Sequence, residues 1–256
     1  MTSPNLPRIH GIALRATVLA GLLVVVTGCA GPQTSALDVD DPWEERNRKV
    51  HAFNKALDRS VVKPLSDGYV AAVPSPVRTG VSNGVNNLGQ PAAFINHLLQ
   101  GDIDDAGASF ARFGMNTVFG LGGLLDPATD AGVFDRPTDF GETLAVWGVA
   151  SGPYVERPVL GPSTVRDSFG RIVEFVADPA NNLVRSVDPD ITGYVIAARV
   201  GNVLQVRNDL DRVINALYYE SADSYTAARI AYLQNRSRAV NDGVADIDLE
   251  DPNAFD

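Results

Sequence analysis

The chain has 256 residues, of which 45% are apolar and 20% are charged, so it can form a sizeable core or a membrane-facing surface. Its 31 acidic residues outnumber its 21 lysines and arginines, and the net charge of −10 argues against nucleic-acid binding, which requires a basic surface. The single cysteine, Cys29, excludes an intrachain disulfide and a multi-cysteine zinc site.

Residues 1–28 have the pattern of a signal peptide. Arg8 and Arg15 supply positive charge, and the apolar segment 16–27 is too short to span a bilayer as a mature helix. The segment ends in Val-Thr-Gly directly before Cys29, which resembles a bacterial lipobox. Cleavage there would leave Cys29 with a diacylglycerol and an acylated amino terminus, which together anchor a protein stably. Ala30 follows where an aspartate would favour inner-membrane retention, so the outer membrane is the predicted destination.

The mature chain divides into three predicted segments. Residues 29–40 are rich in small and polar residues and read as a lipidated tether. Residues 41–240 form the predicted folded domain, and 241–256 carry six acids and no base, which predicts a disordered acidic tail.

Helical periodicity dominates the predicted domain. The first amphipathic helix spans about 45–61 and is expected to end at Pro64. We expect its apolar stripe to meet lipid or a lipid-facing core. A second apolar stripe follows. Asp102 is the expected cap of a third helix, which runs toward a Gly-rich turn at 120–123. A long helical segment is predicted at 192–238, with a break near Ser221. The stripe of the first helix comprises Val50, Phe53, Leu57 and Val61.

Two further segments are distinctive. Residues 137–165 are crowded with glycine and proline, which predicts short turns and a hairpin. The longest uncharged run, 79–101, contains several asparagines that would be costly against lipid tails. The sequence therefore predicts no ordinary transmembrane helix in the mature chain, and leaves open whether its helices lie at an interface or pack together within one leaflet.

Several short patterns mimic catalytic motifs. Asp139-Phe140-Gly141 matches the kinase metal-binding tripeptide without the other kinase motifs, and Gly120-x-Gly122-Gly123 lacks the Lys-Ser/Thr of a P-loop. His51 and His97 have no accompanying Gly-x-Ser-x-Gly elbow, and the acids at 102–105 are too few for a calcium loop. We predict structural roles for all of these, no catalytic residue, no metal, and no cofactor besides the lipid on Cys29.

Ordered strings along the chain resemble the MlaA/VacJ family of outer-membrane lipoproteins. The opening string from Asp41 and Pro42 through Asn47 and Arg48 to Phe53 and Asn54 is similar to the first motif of the family. Further matches follow in the family's order, and together they cover about residues 41–235. These are 76–91, Gln100-Gly101-Asp102, 112–126, 139–149, Gly152-Pro153-Tyr154, 158–167 and 229–236. Two departures are Ala150, where the family often has glycine, and Ser224 within an Asp-Pro-Tyr pattern.

The resemblance implies a mainly helical, ring-like protein embedded in the inner leaflet of the outer membrane. Such proteins remove misplaced phospholipids from the outer leaflet, associate with a porin trimer, and pass the lipid to a periplasmic phospholipid-binding shuttle. Two alternatives stay open at this point, a structural or porin-scaffolding lipoprotein without a lipid path and a lipid-modifying hydrolase that uses His51 or His97.

We also predict that the segment from Gly141 to Gly152 is a loop that controls access to the lipid passage. Gly148 and Gly152 can adopt backbone angles forbidden to other residues, and Pro153 fixes the exit of the loop. The alternative is a static turn whose glycines only permit close packing.

Overall fold

The computed structural model describes residues 39–177 and 191–241. The predicted signal peptide, the tether up to residue 38 and the acidic tail beyond Asn241 lie outside the described residues. The described part is mainly helical, as predicted. The helices are α1 Glu44–Leu57, α2 Lys63–Ala72, α3 Ser75–Gln100, α4 Ile103–Val118, α5 Pro127–Asp130, α6 Phe140–Val146, α7 Val165–Ala177, α8 Ile191–Asp209, α9 Asp211–Asn215 and α10 Ser224–Asn241.

The prediction that the first helix ends at Pro64 is wrong. A π-helical turn, Asp58–Val62, joins α1 directly to α2, and Pro64 lies in the first turn of α2. Pro64 therefore lies inside a continuous helical segment, and its missing N–H falls at the junction where π-helical hydrogen bonds, such as that from the N–H of Lys63 to the carbonyl of Asp58, give way to α-helical ones. A second π-helical turn, Ala216–Glu220, joins α9 to the irregular residues before α10, where the predicted break near Ser221 is confirmed.

Helices α3 and α4 form the largest helical contact. Helix α3 continues through Pro91 to Gln100, and Gly101 turns the chain with a φ of 83°. The carboxylate of Asp102 then accepts a hydrogen bond from the backbone N–H of Asp105 at 3.0 Å, so the predicted cap of α4 is confirmed. Helix α8 packs against α2 and α3, and α6 packs against α7.

The predicted hairpin is confirmed within the Gly/Pro-rich segment. Strands β1 (Tyr154–Arg157) and β2 (Gly161–Thr164) pair antiparallel, with Tyr154 opposite Thr164. Tyr154 is fully buried and packs with Val39. The backbone N–H of Tyr154 donates to the carbonyl of Asp40 at 2.8 Å, so the fold includes at least two residues that were predicted to be tether.

The distribution of side chains is inverted relative to a water-soluble protein. Among the described residues, buried polar side chains outnumber buried apolar ones by more than two to one, while many large apolar side chains are exposed. The exposed apolar residues include Phe53, Ile103, Phe110, Phe119, Leu121, Phe134, Trp147, Ile172, Phe175, Tyr194, Ile196 and Val203. No helix in the described ranges is long and apolar enough to cross a bilayer.

Candidate functional site

Two asparagines of the opening motif hold the hairpin against α1. The side chain of Asn47 donates to the carbonyl of Tyr154 at 3.1 Å and accepts from the backbone N–H of Glu156 at 3.0 Å. The side chain of Asn54 donates to the Glu156 carboxylate at 3.1 Å and to the carbonyl of Arg157 at 2.9 Å, and it accepts from the backbone N–H of Val159 at 2.7 Å. Each side-chain amide therefore both donates to and accepts from the hairpin, as the backbone of a neighbouring strand would.

The bond to Asn54 also supports a strained residue. Val159 has a φ of 68°, in the left-handed region that is unfavourable for a β-branched side chain. Its side chain is exposed at 68%, so packing does not compensate for the strain. The hydrogen bond from the Val159 N–H to Asn54 is the described contact that opposes it.

Arg48 and Asp41 connect the same helix to α10. The Arg48 guanidinium makes two hydrogen bonds to Asp223, at 3.0 and 2.9 Å, and lies 4.5 Å from the ring centroid of Tyr225. The hydrogen bonds between the two groups raise the pKa of Arg48 and lower the pKa of Asp223. The Asp41 carboxylate accepts from Asn47 at 2.8 Å and from the hydroxyl of Tyr225. We call Asp41, Asn47, Arg48, Asn54, Glu156 and Asp223 the clasp.

The remaining two residues of the opening motif lie outside the clasp. Pro42 lines a shallow surface cavity together with Trp43, Arg46 and Lys49. Phe53 points away from the clasp and is 53% exposed. The buried face of α1 is thus polar and its apolar stripe faces outward.

His51 is buried at the centre of the clasp. Its Nε2 lies 3.2 Å from the hydroxyl of Ser224, and its Nδ1 lies 3.5 Å from the Glu156 carboxylate without a hydrogen bond. The ring packs edge-on against Tyr218 and Tyr225. The three polar groups have the order of a serine hydrolase triad, although Glu156 is already bound by Asn54 and by the hydroxyl of Tyr154.

A second buried ion pair fixes the π-helical turn after α1. Arg207 of α8 makes two hydrogen bonds to Asp58, at 2.7 and 3.0 Å, and Tyr219 donates a third at 2.7 Å. Burial alone would raise the pKa of Asp58, but the hydrogen bonds from Arg207 and Tyr219 outweigh it and lower the pKa. The buried negative charge of Asp58 is therefore paired with the positive charge of Arg207.

The Gly-rich turn after α4 is packed rather than open. A Cβ atom on Gly120 would lie 2.4 Å from the carbonyl oxygen of Asn116, and one on Gly123 would lie 2.6 Å from the side chain of Asn87. Below the turn, Asp126 accepts hydrogen bonds from Arg112 and Asn116, each at 2.9 Å. Gly120 and Gly123 are needed for close packing and Gly122 for its φ of 74°, which supports the structural interpretation of this pattern over a nucleotide loop.

The predicted gating loop is shorter than expected. Residues 140–146 form α6, so Gly141 is helical, and its missing Cβ leaves room for Arg236 Nη2 at 2.6 Å and Asp167 Oδ1 at 2.8 Å. Only 147–153 is a loop, with Gly148 and Gly152 at φ of 84° and 65° and Pro153 at its exit. The prediction that the loop begins at Gly141 was wrong. That glycine is required because its neighbours pack closely against it, and not because the chain turns there.

One arginine secures α6 on the side away from the loop. Arg236 of α10 binds Asp139 at 2.8 and 2.6 Å, Glu142 at 2.7 Å and Asp167 at 3.1 Å. Burial raises the pKa of Glu142, and nearby Asp139 adds to this shift. Asp139 also caps α6, which accounts for the Asp-Phe-Gly tripeptide without kinase chemistry.

A sequence model described as MlaA lipoprotein matches residues 39–239. The chain belongs to the MlaA lipoprotein family. The intermembrane phospholipid transport system lipoprotein MlaA of Shigella flexneri is 33% identical over 94% of each chain, and that of Haemophilus influenzae is 33% identical over 89% of this chain and 91% of its own.

A solved structure extends the agreement to the fold. It is described as the structural basis for maintenance of bacterial outer membrane lipid asymmetry, and it matches with a TM-score of 0.67 at 30% identity, covering 79% of this chain and 100% of its own. An uncharacterized protein of Rickettsia felis is also 34% identical over 81% of both chains. Family membership and the mainly helical fold are therefore confirmed.

The two departures from the family pattern are explained locally. Ala150 does not have a positive φ, so alanine fits the loop without backbone strain. Ser224 begins α10, and its hydroxyl meets His51 and the ammonium of Lys55, at 3.2 and 3.3 Å. Sequence reasoning missed this contact because Ser224 lies 173 positions from His51 and 169 from Lys55 in the chain.

Proposed function

We propose that this protein removes misplaced phospholipids from the outer leaflet of the outer membrane and passes them to a periplasmic shuttle protein. The names of the MlaA relatives and the solved structure support phospholipid transport and lipid asymmetry. We propose that the protein lies in the inner leaflet of the outer membrane and that an outer-membrane porin trimer is its partner. These finer points come from the family resemblance.

The inverted side-chain distribution is the observation that carries the proposal. Phe110, Phe119 and Phe175 are each exposed by more than 65%, and every buried square ångström of apolar surface contributes about 25 cal/mol. Contact of these side chains with lipid tails would remove a large area from water. A charged headgroup would need polar side chains along its path, because hydrocarbon cannot solvate it.

Attachment to the membrane is proposed to begin at Cys29. The lipobox before it and Ala30 after it favour lipidation and sorting to the outer membrane of a Gram-negative bacterium. Only a short segment separates Cys29 from Val39, the first described residue, which packs beside the hairpin. The anchor would therefore hold the clasp end of the fold close to the membrane.

The decisive experiment measures phospholipid at the cell surface in a deletion strain. We expect surface phospholipid to rise on deletion and to return to normal when the gene is restored. Restoration with a Cys29→Ala variant controls for protein that is made but not anchored. Unchanged surface lipid in the deletion strain would instead favour the structural or porin-scaffolding alternative.

We further propose that the loop 147–153 controls access to the lipid path. Its two positive-φ glycines, Gly148 and Gly152, lie at either end of the segment, where motion would concentrate. A Cβ atom on Gly152 would lie 3.3 Å from the Cβ of Val165 at the start of α7, close to the separation in disulfides. The pair Gly152→Cys and Val165→Cys can therefore be joined, although a cysteine at position 152 has to adopt the strained φ of 65°.

The disulfide variant should block lipid transfer when oxidised and recover when reduced, with unchanged localisation. The single Val165→Cys variant controls for loss of the valine side chain, and the single Gly152→Cys variant controls for the backbone strain of a cysteine at a φ of 65°. Equal transfer by the double variant in both redox states would show that the loop is structural.

The contacts of His51 favour one other candidate, a lipid hydrolase with Ser224 as nucleophile and Glu156 as the acid. We propose that the trio is structural instead, because Lys55 also binds Ser224 and the His51 Nδ1 makes no hydrogen bond. The purified protein should release no fatty acid from phospholipid vesicles. Release that disappears in Ser224→Ala would establish the hydrolase.

A further inference from the structure

A histidine and two aspartates converge where α3 turns into α4. His97 lies in the last turn of α3, Asp102 caps α4, and Asp105 lies in its first turn. A ring nitrogen of His97 and one carboxylate oxygen of each aspartate lie within 4.8 Å of one another. His97 is buried and both aspartates are half-buried.

The hydrogen bonding of His97 fixes which nitrogen is free. Its Nε2 lies 3.0 Å from the backbone carbonyl oxygen of Arg136. A carbonyl only accepts, so Nε2 carries the hydrogen and the lone pair of the neutral ring is on Nδ1. That Nδ1 is buried, in a residue only 4% exposed, and has no hydrogen-bond partner among the described residues. A histidine with one N–H bound to a carbonyl and a free lone pair on the other nitrogen is arranged as a metal ligand.

We infer that His97, Asp102 and Asp105 bind a divalent transition-metal ion, with zinc as the best match. One imidazole nitrogen and two carboxylates suit zinc, whereas calcium and magnesium prefer oxygen alone. Bonds of about 2.0–2.2 Å place tetrahedral ligands roughly 3.3 Å apart, so the carboxylates must close by at most roughly 1.5 Å. Rotation of the half-buried aspartate side chains supplies this movement, and water completes the coordination.

Arg136 is the charged neighbour that opposes metal binding. Its Nε lies 3.6 Å from Asp105 Oδ1, where it partly neutralises the same carboxylate. The guanidinium is 58% exposed, so it can move into solvent while the Arg136 carbonyl keeps its bond to His97. Removal of this side chain should therefore strengthen metal binding.

The site would join three parts of the fold. The ligands come from the end of α3 and the start of α4, and the carbonyl that orients His97 belongs to the segment before α6. A bound ion would cross-link the α3–α4 turn and satisfy the unpaired nitrogen of His97. Its proposed role is structural.

Zinc titration calorimetry of the purified mature lipoprotein in detergent tests the inference. The protein should carry a tag without histidine, because the mature chain contains only His51 and His97. We expect one zinc ion per chain. Asp105→Asn should weaken binding by at least the roughly 10- to 100-fold loss typical of second-shell changes, and Arg136→Gln should strengthen it.

Asp104→Asn is the matched control, since Asp104 is exposed in the same helical turn and lies outside the cluster. It should bind zinc as the unaltered protein does. His97→Gln, which retains an N–H donor for the Arg136 carbonyl, should lose binding while its circular dichroism shows a folded protein. No saturable zinc binding by the unaltered protein, or equal binding by Asp105→Asn and Asp104→Asn, would overturn the inference.

Discussion

Replacement of Asn54 by leucine is expected to detach the β-hairpin from α1. Leucine has the same branched arrangement of side-chain heavy atoms and favours a helix, so the change leaves the backbone of α1 in place. It removes the hydrogen bonds to Glu156, Arg157 and Val159, which are 3.1, 2.9 and 2.7 Å long. The three partner groups then lose their bonds at a position where Asn54 is only 8% exposed.

The expected loss of stability follows from these contacts. Glu156 keeps its bond from Tyr154, and water can reach the part-buried groups of Arg157 and Val159, so at about 1 kcal/mol net for each hydrogen bond the three bonds amount to about 3 kcal/mol. This is a large fraction of the roughly 5–15 kcal/mol that stabilises a typical domain. Val159 should also lose the contact that holds its left-handed backbone, so adding Val159→Gly to the variant should recover about 1 kcal/mol.

Urea unfolding in detergent, followed by circular dichroism, measures the change in the free energy of unfolding. Hydrogen exchange of the amides at 154–159 should show the local release of the hairpin. Asn86→Ala is the control, because Asn86 is an exposed asparagine within α3. A loss below about 1 kcal/mol for Asn54→Leu, equal to that of the control, would refute the proposed role of this side chain.

Further predictions concern the anchor, the apolar stripe, the buried ion pair and α6. Cys29→Ala should leave an uncleaved precursor outside the outer membrane, as measured by fractionation and gel mobility. Phe53→Asp should reduce membrane insertion, because the outward-facing charge would cost several kcal/mol against lipid. Because the pKa of Asp58 is lowered in the folded protein, its ion pair with Arg207 stabilises the fold fully above the unfolded pKa of about 3.9. This stabilisation is lost as pH falls through the folded pKa. The free energy of unfolding should therefore depend less steeply on acid pH in Asp58→Asn. Gly141→Ala should lower the thermal midpoint, because the new methyl group meets Arg236 and Asp167.

Each of these has a contrary outcome. Correct maturation of Cys29→Ala would reject the lipobox. Normal insertion of Phe53→Asp, compared with Phe53→Leu, would show that the stripe faces water. Identical pH profiles for Asp58→Asn and the unaltered protein would mean that this pair does not control acid stability. An unchanged thermal midpoint in Gly141→Ala would mean that the surrounding side chains can move aside.

Periodicity predicted the existence of the helices well, but it could not decide by itself what lies against their apolar stripes. The spacing of Val50, Phe53 and Leu57 identifies α1, but a stripe in a sequence does not state whether water or lipid lies beyond it. The opposite face carries Asn47 and Asn54 at helical spacing, and it is this polar face that is buried. The cap at Asp102 was predictable because capping depends on neighbours three residues away.

Other features were not predictable because they depend on distant residues. Glycine and proline around residues 137–153 suggested turns, whereas α6 forms there with Arg236 of α10 as its partner. The π-helical turn at 58–62 has no distinct sequence period, so Pro64 was misread as a stop. The hydrogen-bond partners of His51 and His97 lie far from them in the sequence, so only the structure identifies them.

The clasp also constrains the order in which the protein can assemble during export. Asn47 bonds to Tyr154, which is 107 positions away, and Arg48 bonds to Asp223, which is 175 positions away. The amino terminus of a secreted chain emerges first, so Arg48 cannot bind Asp223 until nearly the whole polypeptide has been exported. Closing so long a loop is entropically costly and slow. A chain truncated before Asp223 would lose this tie between distant segments permanently and leave Arg48 with Glu44, one helical turn away, as its described carboxylate partner.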